Sequence, residues 1–172
     1  DTQLEAEKVF GTELNASLYT IAKDVKLQMR FNSKDVASYR LIGYENRLLN
    51  KEDFSDDTKD AGEIGAGHSV TALYEIVPLD ATTSSLNIGR LELRYKTPEG
   101  RVSQLLKHEL ASNIQTVSNA SDNFRWASAV TAYSLLLQDS EFKGAATYFL
   151  VNQLGTSALG ADSHQWRAAF LA

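Results

Sequence analysis

A chain of 172 residues with 43% hydrophobic content has the size and apolar fraction of one globular domain with a core of its own, and it is too short for a second full domain. A formal net charge of −5 and an isoelectric point near 5.2 give a field that repels phosphate backbones, which argues against nucleic acid as a partner. With no cysteine, disulfides, thiol catalysis and Cys-ligated metal sites drop out together, and stability rests on packing.

The chain starts at Asp1 with no initiator Met and no basic-then-apolar leader. It holds no apolar run near the roughly 18 residues that span a bilayer, so it reads as a fragment of something larger, without a transmembrane segment. Leu4, Phe10, Leu14, Leu18 and Ile21 fall close to a helical stripe, which predicts a helix over about residues 3–21 within an N-terminal linker helix at 1–22. A β-rich part follows at 23–112. In it Val25, Leu27, Met29 and Phe31 alternate with Lys26, Gln28 and Arg30, the pattern of a strand with one buried face. Tyr39 to Glu45 predicts a second strand, and Asn46 to Gly67 loses periodicity and reads as a long loop.

Val70, Ala72, Tyr74 and Ile76 share one face of a third strand that Pro78 closes, and Asp80 to Ser85 is a polar connection. Leu91, Leu93 and Tyr95 alternate with charged residues up to the turn Thr97-Pro98-Glu99-Gly100, and Arg101 to Leu110 should pair back as a hairpin. A helical part occupies 118–172. Ser121 or Asp122 caps a helix running to about Asp139, Gly144 interrupts, a second helix ends at Gly160, and Ser163 caps a third. Trp126 and Trp166 are expected in one helical pack against the sheet. Strands first and helices last predict a single α+β domain: an antiparallel sheet or small β-sandwich with an N-terminal helix and a C-terminal helical pack.

Specific strings then carry more than periodicity. Tyr19-Thr-Ile-Ala-Lys-Asp-Val-Lys26, Tyr39-Arg-Leu-Ile-Gly-Tyr-Glu-Asn-Arg47, Asp60-Ala-Gly-Glu-Ile-Gly-Ala-Gly-His68 running into Val70-Thr-Ala-Leu-Tyr-Glu75, and Asp139-Ser-Glu-Phe142 stand in this order. Together they resemble the domain found C-terminal to the von Willebrand factor A (VWA) domain of many bacterial proteins, over about Leu14 to Phe170. The resemblance implies an upstream metal-binding A domain as partner, export to the periplasm or cell surface, often a lipid anchor at a missing N-terminus, and no known catalytic residues. Two departures stand out: the A domain is absent, and the last helix stops at Ala172 where the family usually continues.

Several motifs tempt a catalytic or metal reading. Asp80-Ala-Thr-Thr-Ser84 is similar to the metal loop of the A domain, but a hard cation takes about six oxygens and the chain downstream offers no further βα loops to supply them. Gly62-Glu-Ile-Gly-Ala-Gly67 lacks the Gly-Lys-Ser/Thr ending of a phosphate loop and reads as a structural turn. His68, His108 and His164 lie far apart, with no spacing suited to zinc. The acidic stretch Glu45, Glu52, Asp53, Asp56, Asp57, Asp60 and Glu63 faces only Arg47, Lys51 and Lys59 within its own segment. Such carboxylates repel one another unless solvated or bridged. A solvated loop with local Lys and Arg pairs, a weak calcium site at Asp53, Asp56, Asp57, Asp60 and Glu63, and a partner-binding surface are the three readings.

The leading functional expectation is a non-catalytic accessory or interaction domain that docks on its A domain through Phe10, Leu14 and Leu18. It needs no cofactor, and calcium is the one candidate ion. The rival is a hydrolase using the acidic-loop carboxylates with His68. A carbohydrate- or surface-binding module is a third reading, in which Tyr39, Tyr44 and Tyr74 would form a stacking platform if exposed.

Overall fold

The computed structural model describes residues 3–12, 14, 18–44 and 48–172. It is an α+β chain in two compact units, Asp1–Ile114 and Gln115–Ala172. In the first unit a short helix α1 (Gln3–Glu7), braced by the Gln3 amide donating to Glu7 Oε1 at 2.9 Å, passes into a wide π-helical turn at Lys8–Thr12. Leu14 and Leu18 are helical, and the strand β1 (Thr20–Phe31) begins before the expected helix would have ended. Ile21 is therefore a strand residue. Glu13 and residues 15–17 of the expected helix, and Glu45 to Arg47 further on, lie outside the described residues.

After β1 come β2 (Val36–Ile42), a 3-10 turn (Glu52–Ser55), β3 (Gly62–Gly65), β4 (Leu73–Pro78), β5 (Ser85–Lys96) and β6 (Gln104–Asn113). They form an antiparallel four-stranded sheet in the order β3-β1-β5-β6 and an antiparallel pair β2-β4. The expected loop at 46–67 thus contains a strand. Gly62-Glu-Ile-Gly65 has too little side chain to show alternation, yet it pairs with β1 from Val25 to Thr20, and of its glycine stretch the residue with positive φ is Gly67.

Two bulges explain why β1 and β5 run longer than their alternation. In β1, Lys23 faces Lys96 and Lys26 faces Arg94, so one extra residue is inserted around Asp24, whose φ is +49°. The side-chain phase flips there, and Thr20 to Lys23 fall out of step with Val25 onward. In β5 the extra residue lies between Asn87 and Gly89. Gly89 has φ of +129°, and a Cβ there would stand 2.0 Å from the Arg30 carbonyl oxygen, so only glycine fits.

Register assigns two faces to the four-stranded sheet. One carries the cross-strand rows Lys26-Arg94-Leu105, Gln28-Glu92-Lys107 and Arg30-Arg90-Glu109, and the other carries Leu27-Leu93-Leu106 and Met29-Leu91-His108. The alternation leads one to expect the second face buried. Instead Lys26 and Glu92 are each only 4% exposed, while Leu27 is 51% and Leu106 53% exposed. The reason is electrostatic and local: Glu92 is covered by its ion pairs with Arg30 and Arg90, and Lys26 by the 50–60 loop, while the β6 end of that face, Leu105, Lys107 and Glu109, stays exposed. Phe31 stacks on Tyr39 at 3.9 Å and meets Tyr74 edge-on at 5.3 Å, tying the end of β1 to the β2-β4 pair.

The second unit is helical: α2 (Asp122–Leu137), α3 (Tyr148–Ser157) and α4 (Trp166–Leu171). Ser121 Oγ accepts the Phe124 N–H at 3.2 Å and Thr147 Oγ1 accepts that of Leu150 at 3.1 Å, the hydroxyl caps that start helices. The expected Ser163 cap is absent. Asp162 takes that role, its carboxylate accepting the N–H groups of Arg167 and Ala168, because Gln165 enters the helix at φ +59° and turns the chain so that Asp162 lies over the first turn. The core of this unit centres on Ala129, Val151 and Ala158. Gly155 lets Leu171 approach, since a Cβ would lie 2.6 Å from its Cδ2. Trp126 and Tyr133 meet Phe170 edge-on at 5.4 and 5.2 Å, and Trp166 stacks on His164 at 4.6 Å.

Candidate functional site

The acidic loop and the strands beneath it make the densest polar constellation of the first unit. Its anchors are Phe54, buried in the 3-10 turn, and Lys26, whose ammonium donates to the Asp53 carbonyl oxygen at 3.2 Å and to that of Asp56. The Asp53 and Asp56 carbonyls already accept the Asp56 and Lys59 N–H groups, so these bonds serve the ammonium: they satisfy a charge that is only 4% exposed and pin the loop to β1. Beside it, Lys96 bonds Asp24 Oδ2 at 2.6 Å and the Asp57 carbonyl oxygen at 2.9 Å. The hydrogen bond from Lys96 holds the Asp24 carboxyl below its usual range, and Asp24 in turn raises Lys96.

Asp57 is the most strongly held carboxylate. Ser103 donates to it from its hydroxyl at 2.5 Å and from its backbone N–H at 3.3 Å, and Arg94 Nη2 donates at 2.9 Å. These bonds, the Ser103 hydroxyl foremost and Arg94 adding its charge, lower its pKa from 3.8 to about 2. Asp56 folds back on its own turn, accepting the Thr58 hydroxyl and N–H, which lower its pKa. Asp53 accepts from the Asn50 amide and lies 3.8 Å from Lys59, and Glu63 accepts from the Thr20 hydroxyl at 3.1 Å.

Four of the five carboxylates read as calcium ligands, Asp53, Asp56, Asp57 and Glu63, are therefore dispersed among separate protein donors. Among the described residues no group of three or more His, Asp or Glu side chains is arranged to hold a metal ion. Of the local pairing expected, Lys59 lies against Asp53, while Arg94 from β5 pairs with Asp57, and Lys26 from β1 and Lys96 from β5 hold the loop through its backbone carbonyls. Those partners were visible as charges alternating along the strands, but they read as solvent-facing there because nothing in the local pattern foretells a loop laid across them.

His68 is exposed and its N–H closes a turn onto the Gly65 carbonyl, with no loop carboxylate brought to its ring among the described residues. Asp80 accepts the Thr82 hydroxyl and N–H at 2.7 and 2.8 Å, a self-contained turn. Of the tyrosines, Tyr39 is spent on Phe31, Tyr74 is partly buried, its hydroxyl pKa raised by that burial, and Tyr44 donates to the Thr71 carbonyl. Tyr39 and Tyr74 meet on Phe31, and Tyr39 and Tyr44 remain 57% and 41% exposed. An open cleft of about 350 Å³ in the helical unit is lined by Asp122, Asn123, Asp162, His164, Trp166 and Arg167, but Asp162 serves the start of α4, and Arg167 donates to the Ala158 carbonyl and to Asn123. Among the described residues no helix is long and apolar enough to cross a membrane.

The N-terminal residues named as an interaction surface are all exposed: Phe10 by 73%, Leu14 by 42% and Leu18 by 64%. Val9, Tyr19 and Ile21 beside them are exposed too.

Against known proteins, a family described as "Uncharacterized protein YfbK, C-terminal" matches residues 16–172. The chain belongs to this family. It is 35% identical over 188 aligned positions to "Uncharacterized protein YfbK" of Escherichia coli (strain K12), covering 99% of this chain and 32% of that protein. The chain thus spans about a third of its relative's length. No solved structure matches it.

Proposed function

We propose that this chain is a non-catalytic accessory domain that follows a VWA domain in an exported bacterial protein and docks on it through Phe10, Leu14 and Leu18. The observation that carries this reading is the run of exposed apolar side chains from Val9 to Ile21, at the head of a chain that covers 32% of its relative. An apolar segment of this length favours burial against a neighbouring body. The ordered strings from Tyr19 to Phe142 support the VWA association. In the same reading the parent protein sits in the periplasm or at the cell surface, with a lipid anchor ahead of the A domain, and the A domain carries the metal.

A hydrolase is the less supported alternative, because carboxylates it needs are already engaged, Asp57 by Ser103 and Arg94, Asp56 by Thr58, Asp53 by Asn50 and Glu63 by Thr20. The test compares hydrogen exchange along residues 4–31 in the isolated chain and in a chain extended through the A domain. Added protection that Phe10→Asp weakens is the expected result. Identical exchange in both would mean a tethered neighbour with no docking.

A further inference from the structure

The strand β6 stands at one edge of the four-stranded sheet, and among the described residues no strand pairs with its outer side. It follows β5 without a register break from Gly89 opposite Leu110 to Tyr95 opposite Gln104, so its outward N–H and C=O groups keep ladder spacing. Gln104 to Glu109 are all exposed. A long, regular, open edge is a template for another strand, and natural proteins normally cover it or blunt it.

We propose that a second copy of this chain covers it: two β6 strands pair antiparallel about a twofold axis at His108, joining the sheets of two protomers into one of eight strands. The charge pattern selects both the occupant and the register. With the axis at His108, Lys107 lies opposite Glu109 of the second copy and Glu109 opposite its Lys107. Cross-strand opposite charges favour an antiparallel pair and like charges disfavour it. An axis at Lys107 would set lysine against lysine, and one at Glu109 glutamate against glutamate. Axes at Leu106 or Leu110 leave both charges opposite uncharged residues. Only at His108 do opposite charges meet twice.

The other face agrees. Leu106 falls opposite Leu110 of the second copy, so the row Leu27-Leu93-Leu106 continues through it toward the second copy's Phe31. Leu106, half exposed in the single chain, gains an apolar neighbour. The Glu109 side chain has room to bridge, being 73% exposed and only 3.7 Å from Arg90 Nη1. This surface is separate from the Phe10 segment, so the proposal stands or falls independently of docking on the A domain.

The chain has no cysteine, which makes cross-linking a clean test. Directly opposed residues in an antiparallel pair have Cα atoms about 4.5–5.5 Å apart, within disulfide reach. His108→Cys should oxidise to a covalent dimer. Gln104→Cys should not, because the two copies of residue 104 would lie eight residues apart along the strands, roughly 27 Å. Sedimentation equilibrium of the native chain should show the 19.0 kDa species doubling in mass with concentration. Lys107→Glu and Glu109→Lys should each weaken self-association at least tenfold, and an equimolar mixture of the two should restore it, since both of its cross-strand pairs are again opposite in charge. A chain that stays monomeric to about 1 mM and whose His108→Cys variant stays reduced would overturn the proposal. So would cross-linking of Gln104→Cys as fast as His108→Cys, or a dimer indifferent to the charge variants. If the charge variants fail to fold, the cysteine pair decides.

Discussion

Phe54 offers the sharpest test of the loop as a structural latch. Its side chain is 5% exposed, and the Asp53 and Asp56 carbonyls bound by Lys26 flank it in sequence. A buried aromatic ring removes about 150–250 Å² from water, worth about 4–6 kcal/mol at roughly 25 cal/mol per Å². Phe54→Ala keeps the Cβ and the loop can partly settle into the gap, so the expected loss is about 3–4 kcal/mol. Lys26→Met removes two charge-assisted bonds while relieving a buried charge, for a loss of about 1–3 kcal/mol. Because both side chains fasten one loop, the double variant should lose about 1 kcal/mol less than the two single losses combined. The assay is urea unfolding read at β1 and β5 amides by hydrogen exchange or NMR, because both tryptophans, Trp126 and Trp166, belong to the helical unit. A Phe54→Ala loss below about 1 kcal/mol, or strict additivity with Lys26→Met, would show that the loop merely rests on the sheet.

Three further outcomes follow from the same geometry. Millimolar calcium or a chelator should leave the melting temperature unchanged, since protein donors already hold Asp53, Asp56, Asp57 and Glu63; a rise abolished by Asp56→Ala and Asp57→Ala would restore the cation site. Asp57 has its pKa lowered from 3.8 to about 2, so its contribution is full above the unfolded value and is lost as pH falls from about 4 toward 2. Asp57→Asn should therefore lower stability near pH 7 and flatten the acid limb in that window, and an unaltered acid limb would refute the Ser103 and Arg94 contacts. Gly89→Ala should destabilise the first unit by about 2 kcal/mol or more through its clash with the Arg30 carbonyl, measured by the same urea titration; a neutral result would contradict the bulge.

The fold was legible in the sequence wherever the phase of a pattern stayed constant. Leu91 to Lys96, the turn at Thr97 to Gly100 and the Ser121 cap all lie where alternation or cap chemistry places them. The pattern failed where geometry breaks phase: at the Asp24 and Gly89 bulges, which hid the first halves of β1 and β5, and at Gly62 to Gly65, which has few side chains to alternate. The candidate site was half legible. The acidic cluster was plain, but its partners Lys26, Arg94, Lys96 and Ser103 come from positions 37 or more residues away in the case of Arg94 and Lys96, and no local rule couples them. For the same reason the burial of Lys26 and Glu92 is not legible: alternation tells which residues share a face, whereas the loop laid over Lys26 and the arginines beside Glu92 decide which of them are covered.

The most direct measurement of the proposed role is an amide NMR titration of the labelled chain with the separately produced VWA domain that we propose precedes it. The docking account predicts saturable shifts concentrated at residues 9–12 and 18–21, lost in Phe10→Asp, with the acidic loop at 50–60 unmoved. Shifts centred on the loop, or none at millimolar A domain, would contradict it.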